Sequence, residues 1–157
     1  MQLPITILAA LTAALSATAT PLAKRACQTT YPVAGLPLPI SVSRTATPPS
    51  SQPATVSFSI PAGARGPCSL VLAFPAGYPV ATTGSSQVDV VALDGPAAGA
   101  VVGTVALASL PGEAIVRTVN SFSCRPELSF RLQIAGAEGS VAFTEVEGAG
   151  LFVTYDC

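Results

Sequence analysis

The chain has 157 residues, half of them hydrophobic and only 10% charged, with a formal net charge of −1 and neither histidine nor tryptophan. This length suits a single domain, and the lack of histidine removes Ser-His-Asp and Cys-His catalysis together with most zinc chemistry. Nucleic acid is excluded as a partner, because beyond Lys24 and Arg25 five scattered arginines stand against eight carboxylates, a balance of −3 without a cationic cluster.

Residues 1–19 read as a secretory signal peptide. Positions 3–19 form an almost uncharged run of Leu, Ile, Ala and Thr, and Ala17-Thr18-Ala19 has the small-x-small form of a cleavage site. The run is too rich in Ala and Thr for a membrane anchor, which needs roughly 20 strongly apolar residues. Residues 20–25 then form a short pro-segment that ends in Lys24-Arg25, a dibasic processing pair. The mature protein is expected to be secreted and extracellular, without membrane contact once the leader is removed.

Residues 26–54 are a Pro/Ser/Thr-rich lead-in, with six prolines between Pro32 and Pro53. Proline prevents helix and interrupts ladders, so this stretch is expected to be extended, with a strand or two around 38–42. Serine and threonine beside proline also make it a candidate for O-glycosylation. The sole asparagine, Asn120, is followed by Ser121-Phe122 and offers no N-glycosylation acceptor.

Residues 55–157 change to a period of two. Val56, Phe58 and Ile60 alternate with serines; Cys68, Leu70, Leu72 and Phe74 share one face; Leu128, Phe130, Leu132 and Ile134 share another; Leu151, Val153 and Tyr155 close the chain. Further runs fall at 88–93, 100–107, 115–123 and 140–146. Alternation bounded by glycine and proline marks half-buried strands. The breaks at Pro75-Ala76-Gly77, Asp94-Gly95-Pro96 and Leu110-Pro111-Gly112 carry turn residues. About eight strands with no helical pattern between them predict an all-β fold, an antiparallel sandwich.

Cys27, Cys68, Cys124 and Cys157 all lie beyond the leader. An even count behind a secretory signal reads as a disulfide framework, for which three pairings exist. The nested one, Cys68–Cys124 with Cys27–Cys157, is expected, because Cys68 and Cys124 terminate core strands while the other two would tie down the ends.

The chemical inventory is thin. Glu145 and Glu147 would share a face if their strand continued, and Asp89 and Asp94 flank a turn. A glycosidase needs two such carboxyls in a cleft, but solvated strand faces account for these acids better. No oxygen-rich spacing supports calcium. Arg117, Arg125 and Arg131 form a candidate anion patch, with exposed strand ends the plainer account. The phenylalanines fall in strand patterns and are assigned to the core, whereas Tyr31 and Tyr78 lie in proline-flanked loops and are expected to be exposed. No catalytic residue, metal site or cofactor is expected.

The strand Val56-Ser57-Phe58-Ser59-Ile60-Pro61, the cysteine-led strand Cys68-Ser69-Leu70-Val71-Leu72-Ala73-Phe74-Pro75, the segment Ser121-Phe122-Ser123-Cys124 and the ending Gly150-Leu151-Phe152-Val153-Thr154-Tyr155-Asp156-Cys157 together resemble a fungal family. It is the ubiquitin-3-binding-protein C-terminal domain, also called the "But-two" C-terminal domain. The resemblance implies a secreted fungal β-sandwich without transferable catalytic residues. The family's implied partner, a subunit of the NEDD8-activating enzyme, is intracellular and is not carried over to a chain with a secretory leader. The sequence therefore points to a secreted structural or interaction protein, not an enzyme, at the fungal cell surface or in the medium. Its partner is a protein or a polysaccharide, and its oligomeric state is open. A carbohydrate-binding or cell-wall-associated module is the first alternative, and a host-directed effector the second.

Overall fold

The computed structural model describes residues 26–157. The leader, the pro-segment and the Lys24-Arg25 processing pair lie outside the described residues. Twelve strands follow in order: β1 (Gln28–Thr30), β2 (Leu38–Thr45), β3 (Ser50–Gln52), β4 (Ala54–Ser59), β5 (Pro67–Phe74), β6 (Ala81–Gly84), β7 (Gln87–Ala92), β8 (Val101–Ala106), β9 (Ile115–Ser123), β10 (Glu127–Ile134), β11 (Gly139–Glu145) and β12 (Gly150–Tyr155). They form three antiparallel sheets with the orders β1-β12-β5-β9, β4-β10-β7-β8 and β3-β2-β11-β6. The sheets pack around one shared core, so the molecule is an all-β, sandwich-like domain.

Alternation explains where each strand faces. On β10, Leu128, Phe130, Leu132 and Ile134 are all 2% exposed or less, while Ser129, Arg131 and Gln133 on the other face are half-buried. Phe130 sits opposite Val56 of β4 and Ala92 of β7, which places its ring at the centre of the second sheet. The first sheet contributes Leu70, Leu72, Leu151 and Val153, all fully buried. Burying each such side chain contributes roughly 1.5–3 kcal/mol.

The strand count exceeds the expected eight, and the extra strands have a common cause. β1, β2 and β3 lie in the Pro/Ser/Thr-rich segment, and β6 is Ala-Thr-Thr-Gly with all four residues exposed. None of these has the apolar alternation that would announce it, except for Ile40 and Val42 of β2, which are 3% and 0% exposed and sit in the core. Residues 26–54 are thus part of the domain rather than a lead-in to it. Prolines are accommodated because β3 pairs only with Ser43, Arg44 and Thr45, so the Pro39 end of β2 carries a single ladder, to β11. Pro32 bridges Phe58, and the Val33 amide donates to the Ser57 carbonyl at 2.8 Å, which covers the free edge of β4.

Two disulfides close the fold, Cys27–Cys157 and Cys68–Cys124. The first joins the residues flanking β1 and β12, which pair directly, and the second ties β5 to the residue just past β9. Closing loops of 130 and 56 residues stabilises the fold by roughly 4–5 kcal/mol per bridge through lost unfolded-state entropy.

Candidate functional site

The first and second sheets each end in a strand, β9 and β8, and these two edges meet. The Asn120 side-chain amide donates to the Val102 carbonyl, and Val119 packs against Gly103 at the same level. A gap opens next to the end of β9. The gap is lined by Ala92 at the end of β7, by Asp94, Pro96 and Ala97 of the following loop, by Phe122 and Ser123 at the end of β9, and by Arg125 and Phe130. It forms a partly enclosed cavity of about 250 Å³.

Local chemistry fixes every wall. Phe130, 1% exposed, makes the floor, and half-buried Phe122 stands beside it with ring centroids 5.2 Å apart and a 42° tilt. At the rim the Arg125 guanidinium donates to Asp94 Oδ1 at 2.6 Å, and the Ser129 backbone amide donates to Asp94 Oδ2 at 2.7 Å. Both charged side chains are about one-third exposed, at 31% and 32%. The guanidinium lies flat across Gly95, where a Cβ would come within 2.1 Å of it; that residue also has φ +70°, so only glycine serves there. The 94–99 loop is held by turn bonds, among them the Ala98 amide to the Gly95 carbonyl at 3.1 Å and the Gly99 amide to the Ala92 carbonyl at 2.8 Å. Cys124 sits between the lining residues Ser123 and Arg125, so its bridge to fully buried Cys68 anchors that side of the cavity to β5. A broader, more open depression on the other side of the ion pair is lined by Thr55, Ser57, Leu93, Pro126, Glu127 and Ser129.

The three arginines do not converge. Arg125 is spent on Asp94, Arg117 is exposed opposite Leu72 on the edge strand β9, and Arg131 lies half-buried on β10 between Thr55 and Val91. Asp89 is engaged by the Thr104 hydroxyl at 2.6 Å on the outer face of β7, away from Asp94.

The glutamates do not form a pair either. β11 ends at Glu145, and a tight turn closed by the Val146 and Ala149 backbones carries Glu147 out to solvent. Glu145 corrects the expectation of a solvated strand face, since it is 1% exposed. Its side chain lies across Gly150, where a Cβ would come within 2.5 Å of it, and neither carboxyl oxygen has a hydrogen-bond partner of good geometry. Burial pushes its carboxyl up from the usual 4.5 to about 8, against a smaller lowering by the nearby Leu151 amide.

Two aromatic expectations are also revised. Tyr78 is half-buried, stacked on Phe74 at 5.5 Å, with its hydroxyl donating to the Thr144 carbonyl. Phe122 and Phe152 are half-buried rather than core, and Phe152 faces outward against Tyr31 at 5.9 Å. Tyr31 is itself half-buried, and its hydroxyl accepts from the Gly148 amide at 3.2 Å. Among the described residues no three metal-ligating side chains come together.

The cavity is the feature that sequence reasoning missed. Its only local signals are the turn Asp94-Gly95-Pro96 and the pair Arg125-Pro126, and nothing in their spacing says that they meet. No family model, curated protein or solved structure matches the chain.

Proposed function

We propose that the protein is a secreted, non-enzymatic interaction module that acts at the fungal cell surface or in the surrounding medium. The observation that carries the reading is the preformed Phe122–Phe130 cavity, rimmed by the Asp94–Arg125 pair and anchored by the Cys68–Cys124 bridge. A concave, mostly apolar site with a few convergent polar groups is the usual form of a binding pocket. Its one acid already accepts two hydrogen bonds, from Arg125 and Ser129, which suits it to positioning a ligand and not to proton transfer. The secretory leader and the two disulfides support the extracellular setting. Kinship with the But-two C-terminal domain belongs to this proposal and rests on the strand motifs alone. A carbohydrate-binding module is the second reading, favoured by the aromatic wall set beside a planar charged pair.

Filling the cavity tests the reading without touching the ion pair or the bridges. Ala97→Trp places a large ring into the space while leaving the sheets intact. Wild-type protein is expected to be retained on cell-wall and cell-surface preparations, and the variant, with an unchanged melting temperature, to pass through. Equal retention of the two would contradict the assignment of the cavity.

A further inference from the structure

We propose that the cavity receives one neutral sugar ring, a single pyranose at the end or edge of a glycan. The inference rests on the binding reading above and adds the chemical class of the ligand. Charge comes first. Arg125 and Asp94 already neutralise each other, so an anionic ligand would meet the Asp94 carboxylate as well as the guanidinium, and a cationic one the reverse. A site of zero net charge that still offers both strong donors and strong acceptors suits hydroxyl groups, which donate and accept at once. Arg125 uses one terminal nitrogen on Asp94, which leaves further N–H donors in its planar fork. Each Asp94 oxygen accepts one bond, from Arg125 or Ser129, and keeps a further lone pair, and Ser123 adds a hydroxyl at the same rim.

Shape gives the second constraint. A pyranose has one face of C–H groups and a periphery of hydroxyls. The lining offers the same two kinds of group: Phe122, Phe130, Ala92, Pro96 and Ala97 are apolar, and Asp94, Ser123 and Arg125 are polar. Half-buried Phe122 belongs to this lining, and C–H hydrogens pack favourably against the negatively polarised face of an aromatic ring. The cavity, about 250 Å³, falls just below the common range for drug-sized ligands, roughly 300–1,000 Å³. It therefore has room for one substituted six-membered ring and not for a chain of them. The open depression beyond the ion pair, along Ser57, Glu127 and Ser129, would let neighbouring rings continue outward.

The test is an amide NMR titration of the mature, disulfide-bonded protein with methyl glycosides of glucose, mannose, galactose and N-acetylglucosamine. Sodium benzoate, an anionic ring of similar size, is titrated in parallel. At least one glycoside is expected to shift the amides of Ala97, Phe122 and Ser123 saturably, with a millimolar midpoint. Phe122→Leu, which keeps apolar bulk but loses the ring face, should weaken that binding by about tenfold. Ala97→Trp should abolish it. If benzoate shifts these amides and no glycoside does, the sugar assignment fails while the binding reading stands. If no probe shifts them, the sugar assignment fails, and retention of wild type against Ala97→Trp on cell-wall and cell-surface preparations decides the binding reading.

Discussion

Glu145 shows how one residue can set the pH response of a small domain. Its carboxyl is buried against Gly150 with no hydrogen-bond partner of good geometry, and burial raises it from 4.5 to about 8 against a smaller lowering by the Leu151 amide. Between those two values the folded chain keeps a proton that the unfolded chain releases. Stability from this residue is therefore full below pH 4.5 and is lost as the pH climbs through about 8. The whole loss is on the order of 4–5 kcal/mol, a large share of what a domain of this size holds in reserve. Wild-type protein is expected to unfold at clearly lower urea at pH 9 than at pH 5, and Glu145→Leu to flatten that dependence. Parallel pH curves for the two proteins would show that the carboxyl is not the responsible group. The sequence misled here because a charged residue next to a Glu-Gly turn reads as solvent-facing. Its inward orientation follows from the strand's alternation with Val141 and Phe143, both buried.

At the level of elements, eight of the strands were legible as apolar runs, including β8, β9 and β11 at the expected 100–107, 115–123 and 140–146. β4, β5, β7, β10 and β12 announce themselves through Val, Leu, Ile and Phe at spacing two. β3 and β6 are fully exposed and owe their conformation to the ladders they make with β2 and β11, which no local pattern records. β2 was anticipated around 38–42 in spite of Pro37 and Pro39, and Ile40 and Val42 carry its core signal. If residues 26–54 belong to the cooperative unit, Ile40→Ala should lower the unfolding free energy by about 2–4 kcal/mol in urea titration, the usual cost of emptying a core site. A change near zero would mean that this segment is a tether outside the fold.

The proposed binding cavity exists only at the scale of the whole molecule. Asp94 and Arg125 are 31 residues apart and reach each other because β7 and β10 are neighbours in one sheet, while β9 brings Phe122 from another. The Asn120 contact joins the two edges, and the Cys68–Cys124 bridge ties the end of β9 to β5 within the first sheet, so the walls are positioned before any ligand arrives. The fold class and the list of cysteines could be read from the chain. The cavity could not, because it depends on long-range register, and register is set by pairings spread over the full length. The most direct measurement is amide hydrogen exchange on the mature protein, alone and mixed with cell-wall preparations. The account predicts new protection confined to residues 94–98 and 122–125. Protection instead along the outer face of β2 and β11, or no change anywhere, would contradict it.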